Sequence, residues 1–294
     1  TIGDGFYRFS GVQPGGDYSV TAFNDNNPLN GVSTFDLVLI SKHILGVTPL
    51  GSPYKMIAAD ANNDHSISAI DLIELRKLIL GIYDELPDNV SWQSIDASQH
   101  LTVDNPWIFR DYISVVDMTE DLTDEDFISV KIGDVNESAQ LNNVTEDEES
   151  KKQIVLSYED AQLLGGDIIE LDLNVKSDEI IYGLQFTLLY DDMDLLDVKG
   201  AGIDRTNYAM HDNALTMSIG DVSSAIPDQT ITLSFRVNAA GKVSDKLRIS
   251  SKITKAEAYT GPALSINNIY LDNGSNIAEF HLYQNQPNPF KEYT

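Results

Sequence analysis

Between residues 60 and 71 the chain sets oxygen-bearing side chains at alternate positions. Asp60, Asn62 and Asp64 stand at positions 1, 3 and 5 of a twelve-residue loop, Ser66 offers its carbonyl at 7, Ser68 stands at 9 and Asp71 closes at 12. An alternating run of acids and amides curls so that every second side chain points at one centre, and calcium takes roughly 6 to 8 oxygens. The stretch therefore reads as a calcium loop running into a helix, with calcium the expected cofactor. Ser68 and Asp71 would also serve as a plain helix cap, but capping leaves Asp60, Asn62 and Asp64 unexplained. Position 6, where the backbone turns sharply, is normally glycine; here it is His65, only moderately tolerant of a left-handed conformation.

The element behind this loop occurs twice. Residues 31–47 align without a gap on residues 66–82. In each, a serine stands three before an aspartate (Ser33 and Asp36; Ser68 and Asp71), and apolar residues follow at helical spacing (Leu37, Ile40, Ile44; Leu72, Leu75, Ile79). Gly46 and Gly81 end the two helices. Each predicted helix has an apolar face to cover, and packing the two together covers both. The first loop is irregular. Counting back from Asp36 puts Asp25 and Asn27 at positions 1 and 3, but Leu29 at 5 and Asn30 at 6, and leucine cannot ligate calcium. Either Pro28 and Leu29 bulge out, so that Asp25, Asn27, Asn30 and Asp36 form a second site, or this loop is metal-free and held by packing.

Two loop-helix repeats of this kind resemble the dockerin module of cellulosome-type assemblies, which is built on half EF-hands. The second repeat fits well and the first departs at Leu29. The resemblance implies structural calcium and a protein partner of the cohesin type, in the same chain or another. It also implies that loop positions 10 and 11 meet the partner: Thr34 and Phe35 in one repeat, Ala69 and Ile70 in the other. Residues 83–136 are expected to continue the module, with Trp92, Trp107, Phe109, Tyr112 and Phe127 packing under the helix pair, and Thr123 followed by three acids beginning a helix. Residues 133–136 look like the opening of a dockerin loop that never continues, and Asp134 and Asn136 are expected to lend an oxygen to one of the sites.

Composition narrows the classes. The 294 residues suit two or three domains, and 46 acids against 19 bases give a net charge of −27. That argues against nucleic acid or an anionic membrane surface as partner. With no cysteine, disulfides, thiolate metal sites and cysteine nucleophiles are excluded. No apolar run approaches the ~18 residues of a membrane span. The five histidines are scattered, no nucleophile elbow or phosphate-binding glycine loop occurs, and no enzyme is expected here.

The expected organisation is multidomain. Residues 1–24 read as the last hairpin of an immunoglobulin-like partial β-sandwich, 25–136 as the α-helical dockerin-like module, and 137–152 as an acidic linker. Residues 153–270 read as an all-β sandwich: Leu171, Leu173 and Val175 share a face, as do Leu184, Phe186, Leu188 and Tyr190, and Ile231, Leu233, Phe235 and Val237. With runs at 153–158, 214–219 and 247–253, this makes about seven strands. Gly165 to Val175, Ile181 to Asp191 and Leu195 to Val198 resemble the cohesin and related carbohydrate-binding sandwich family. In 271–294, residues 282–290 resemble the entry motif of the C-terminal sorting domain of type IX secretion in Bacteroidetes. That resemblance implies export and a secreted or cell-surface location; together with the partial sandwich at 1–24 it leads one to expect a chain truncated at both ends. The expected function is thus the non-catalytic, calcium-stabilised region of a surface protein serving assembly or adhesion. The alternative is a glycan-binding accessory region of a polysaccharide-degrading enzyme, with Tyr182, Tyr190 and Tyr208 as candidate stacking platforms.

Overall fold

The structure is a computed structural model that describes residues 5–140, 152–220 and 229–274. The sorting motif at 282–290, His281 and most of the acidic linker lie outside the described residues.

The helical unit is built as its pattern dictates. Helices α1 (Thr34–Ile44) and α3 (Ala69–Ile79) each begin with a serine cap, Ser33 or Ser68, paired in a capping box with the aspartate three residues on. Both end before a glycine at φ +70°, Gly46 and Gly81. Leu37 and Ile40 of α1 pack with Leu75, Leu78 and Ile79 of α3 in one buried core. A short helix not legible in the periodicity, α2 (Pro53–Ala59), adds Ile57 and Ala58 to it. Each of these leucine and isoleucine side chains contributes roughly 1.5–3 kcal/mol on burial.

Four strands complete this half. β1 (Tyr18–Thr21) pairs antiparallel with β3 (Tyr112–Val115), and β2 (Trp92–Asp96) with β4 (Phe127–Lys131). Ile95 and Val130 enter the helix core, with Trp107 and Phe109 packed at its margin. Tyr18–Thr21 therefore finds its hydrogen-bonded neighbour downstream, instead of closing a hairpin of its own as the sequence leads one to expect. No helix starts at Thr123. Its hydroxyl donates to the neighbouring Asp124 carboxylate, Asp124 turns to φ +65°, and the alternating Ile128 and Val130 carry the chain into β4.

The second half is all β apart from one turn of helix. Its first strands are β5 (Gln153–Ser157), β6 (Gln162–Leu163), β7 (Ile168–Lys176), β8 (Ile181–Tyr190), β9 (Met193–Gly200), β10 (Tyr208–His211) and β11 (Ala214–Gly220). They are followed by β12 (Gln229–Val237), β13 (Gly241–Lys242), α4 (Val243–Lys246), β14 (Leu247–Ser250), β15 (Glu257–Thr260) and β16 (Ser265–Asp272). Ten strands form one hydrogen-bonded path, β10-β11-β8-β15-β16-β5-β7-β12-β9 with β14 also on β8, in which β16 and β5 run parallel. Leu173, Phe186, Leu188, Leu215, Met217, Leu233 and Phe235 fill the core between its faces.

The outer faces differ. β7 turns Glu170 and Asp172 to solvent, in the alternation of a half-wet sheet. On β8 and β11 the outward Gln185, Thr216 and Ser218 are buried under the helical unit, and Thr187 is buried with Thr254 of the sandwich, with which it exchanges hydrogen bonds.

Candidate functional site

In the loop at 60–71 the backbone is folded by its own carboxylates. The amides of Asp64 and His65 donate to Asp60 Oδ1 and Oδ2 at 3.0 and 2.9 Å, and the Asp64 amide also reaches Asn62 Oδ1 at 3.2 Å. Asp71 closes the circle: its Oδ1 accepts from the Ala61 and Asn62 amides at 2.9 and 3.3 Å, its Oδ2 from the Ser68 amide at 2.8 Å. Asn63 and His65 take the left-handed conformation, at φ +55° and +65°. Position 6 thus has the backbone that glycine normally supplies, carried by a histidine.

The first repeat has a loop of the same design, drawn from two distant segments. Asp36 Oδ1 accepts from the Val135 and Asn136 amides at 2.9 and 3.2 Å, and its Oδ2 from the Ser33 amide at 3.0 Å. Asp134 Oδ1 and Oδ2 accept from the Ser138 and Ala139 amides at 3.1 and 2.8 Å, and Asn136 Oδ1 from the Ser138 amide at 3.1 Å. Glu137, at φ +63°, matches Asn63. Bond for bond, Asp134, Asn136 and Ser138 occupy positions 1, 3 and 5, and residues 31–36 supply positions 7 to 12. The seam is closed by Asn30, whose side chain pairs with Gln140 O and N at 2.7 and 3.0 Å, and by Ser138 Oγ donating to Gly31 O at 3.1 Å. A Cβ on Gly31, at φ +76°, would fall 2.7 Å from Ala139 N and Asp134 Oδ2, so glycine is required where the segments meet.

Asp25, Asn27 and Asn30 therefore do not gather round Asp36. Asp25 Oδ1 accepts from the Ser91 amide at 2.6 Å, the Asn27 carbonyl accepts from the Asn30 amide, and Asn30 straps the seam. With Leu29 at position 5 that segment cannot complete a ligand set, and residues 134–138 take its place.

The donors of both loops are oxygens alone, the chemistry of a hard cation. Burial, and after it the Asp134 carboxylate, pushes Asp36 up to about 7. Burial also raises Asp60 to about 6, against the pull of the His65 and Asp64 amides, and raises Asp134. Among the described residues no lysine or arginine forms an ion pair with Asp36, Asp60, Asp71 or Asp134. Buried Lys131 spends its ammonium on Pro28 O and Ile132 O at 2.7 and 3.0 Å, and burial lowers it to about 8. Its charge still acts on Asp134 and Asp36 from beyond ion-pair distance, while Asp60 and Asp71 have no such neighbour among the described residues; buried carboxyls so incompletely balanced favour a cation. No three acidic or histidine side chains converge on a point among the described residues, because the carboxylates are turned to amides. The groups present fit calcium by donor type and by order along each loop.

The same helices present their ends to the sandwich. The Thr34 amide, an orphan donor in the first turn of α1, donates to Gln185 Oε1 at 2.6 Å, and the Thr34 hydroxyl meets Ser218 Oγ at 2.7 Å. At the other end of the unit the orphan carbonyls of α3 are taken up. Thr254 Oγ1 donates to Ile79 O and Thr216 Oγ1 to Leu80 O, each at 2.7 Å, and His211 Nε2 lies 3.0 Å from Leu80 O. Phe35 stands edge-on to Tyr259 at 5.3 Å, Val38 packs with Tyr259 and Leu264, and Lys42 lies over Tyr182 at 5.2 Å. Gly183 and Gly220 leave room for Thr34, whose Cγ2 would be 3.2 Å from a Cβ on either.

Thr34 and Phe35 thus face the sandwich, whereas Ala69 and Ile70 face solvent, Ile70 being 53 % exposed. The three tyrosines considered as glycan platforms are engaged elsewhere: Tyr182 under Lys42, Tyr190 buried with its hydroxyl donating to His211 O, and Tyr208 buried beside Arg205. Among the described residues no helix is long and apolar enough to cross a membrane.

Residues 25–80 match the family model of the dockerin type I domain, a match that stops short of residues 134–138. No curated protein matches the chain. Among solved structures it is similar to the sixth cohesin of scaffoldin B from Acetivibrio cellulolyticus, solved with a mutant Cel5 dockerin. That likeness has 16 % identity and a TM-score of 0.33, over 41 % of this chain and 95 % of that one. A type I cohesin–dockerin complex from Clostridium thermocellum matches with 15 % identity and a TM-score of 0.35, over 43 % and 94 %. A non-cellulosomal cohesin from the archaeon Archaeoglobus fulgidus matches with 16 % identity and a TM-score of 0.30, over 40 % and 86 %. Residues 25–80 are thus similar to a dockerin type I domain.

Proposed function

We propose that this chain is a non-catalytic, calcium-stabilised assembly region of a secreted or cell-surface protein, in which the dockerin-like unit takes the cohesin-like sandwich of its own chain as partner. The observation that carries the proposal is the matching of helix ends to strand faces. The first amide of α1 and the last carbonyls of α3, groups that no helix can satisfy internally, find Gln185, Thr254 and Thr216 on the sandwich. The uncharged outer face of β8 and β11 suits burial under a protein.

In this reading calcium sits in the loop at 60–71, held by Asp60, Asn62, Asp64, Ser66, Ser68 and Asp71, and in the split loop of Asp134, Asn136, Ser138, Gly31, Ser33 and Asp36. The ion supplies positive charge to buried carboxylates, and the protein supplies shape: each loop ends on the capping box that starts a docking helix. The motif at 282–290 supports export by type IX secretion to the cell surface.

Hydrogen exchange on the full chain tests this. With calcium, the amides of residues 34–38, 183–187 and 216–220 exchange slowly together; chelation speeds all three, and Thr34→Arg speeds the two sandwich segments with calcium still bound. Fast exchange of 183–187 and 216–220 in the calcium-loaded wild type would contradict the docked arrangement.

A further inference from the structure

We propose that Trp107 is a positioning residue for the calcium loop at 60–71, holding His65 in the left-handed turn where glycine would otherwise be needed. The inference rests on the calcium reading above and adds a role for residues 83–133, which the repeat itself does not contain.

The His65 ring lies parallel to the Trp107 ring, with centroids 5.8 Å apart and 7° between the planes. That is an offset stack within the range where aromatic pairs attract. His65 is at φ +65°, a conformation disfavoured for any residue with a Cβ, and its ring is otherwise exposed. What the turn achieves is continuity: it carries the chain from the bonded amide of His65 directly into Ser66, whereas in the split loop Ala139 makes the equivalent bond to Asp134 at 2.8 Å without a left-handed φ, because its chain need not run on into Gly31. The His65 N–H donates to Asp60 Oδ2 at 2.9 Å and fixes the carboxylate at position 1. Both ends of the loop are held, residue 60 by Asn89 and residues 61 and 62 by Asp71, so a different φ at residue 65 has to be absorbed between them, at the expense of this bond.

Trp107 is itself anchored. It is half-buried against the core of the helical unit and follows the buried Pro106. The same insertion grips the loop a second time, through Asn89 Nδ2, which donates to Asp60 O at 2.8 Å. Two points on the loop, the carbonyl of residue 60 and the ring of residue 65, are thus held by residues outside both helical repeats.

Calcium titration of the full chain by calorimetry tests the assignment, following the binding event that Asp64→Ala removes. Trp107→Ala weakens that event about two- to tenfold, the worth of one aromatic pair, and Trp107→Phe recovers part of the loss. His65→Gly supplies the turn without a stack, so adding Trp107→Ala to it changes affinity less than twofold. Melting in saturating calcium shows whether each variant is folded. Wild-type affinity in Trp107→Ala, or an equal loss with and without His65→Gly, would overturn the clamp and leave the calcium reading standing. A wild-type chain that binds no calcium would overturn both.

Discussion

The two loops do the same work with opposite connectivity. In the loop at 60–71 twelve consecutive residues fold round their own carboxylates; in the other the first five positions and the last six lie on opposite sides of the insertion. The hydrogen bonds are nonetheless equivalent, carboxylate to amide, at each closing position. What differs is what each closure holds. The contiguous loop fixes only the start of α3, whereas the split loop ties the chain after β4 to the start of α1 and sets Thr34 against Gln185 and Ser218. A metal bound across two segments opposes the entropy of bringing distant parts of the chain together, which a contiguous loop scarcely does.

Removing calcium has the largest expected effect. At a calcium concentration ~100 times the dissociation constant, each site contributes about 2.7 kcal/mol, and chelation lowers the melting temperature of the helical unit by on the order of 10 °C. An unchanged melting curve would place both loops outside calcium chemistry.

The comparison sharpens with the closing aspartates. Asp36→Ala leaves the buried amide of Val135 and the part-buried amides of Ser33 and Asn136 without an acceptor and costs about 3 kcal/mol by chemical denaturation. Asp71→Ala removes the same kind of bonds but leaves the docking face in place. Amide exchange at 183–187 and 216–220 therefore rises in the first variant and stays at the wild-type rate in the second. Equal exchange in both would mean that the split loop does not support the dock.

Position 7 separates the loops next. Gly31→Ala puts a methyl into the seam at a positive φ and costs about 1–3 kcal/mol. At the equivalent point Ser66→Ala, on an exposed residue that gives only its carbonyl, costs less than about 0.5 kcal/mol. The smallest effect belongs to the strap. Asn30→Ala removes two exposed bonds to Gln140, costs about 1 kcal/mol, and has no counterpart in the contiguous loop.

The legibility of these parts in the sequence follows from distance along the chain. Helical spacing at Leu37, Ile40, Leu75 and Ile79 and the serine-aspartate caps are local, and they mark α1 and α3 to within a residue or two. Alternation at Leu171 and Leu173 and at Leu184 and Phe186 marks sandwich strands for the same reason. The split loop is not local. Its trace is a pair of fragments, an opening at 133–136 with no continuation and an ending at 31–36 whose own upstream segment carries leucine at position 5. Joining them requires knowing that β4 returns to α1. The docking face is legible only as an absence: Gln185, Thr216 and Ser218 fit a wet sheet by alternation, and their lack of charge, beside Glu170 and Asp172 on β7, is the one sign that protein covers them. The capping signal at Thr123 misleads because its hydroxyl bonds to the adjacent aspartate and the following residues pair as a strand.

Cross-linking across the docking face tests the central claim most directly. The chain has no cysteine, so Thr34→Cys with Gly220→Cys introduces a single pair at a point where Thr34 Cγ2 lies 3.2 Å from a Cβ built on Gly220. Docking within one chain predicts that mild oxidation of the dilute, calcium-loaded protein gives a disulfide-closed monomer that migrates faster on a non-reducing gel. Free thiols throughout, or bridged dimers alone, would contradict it.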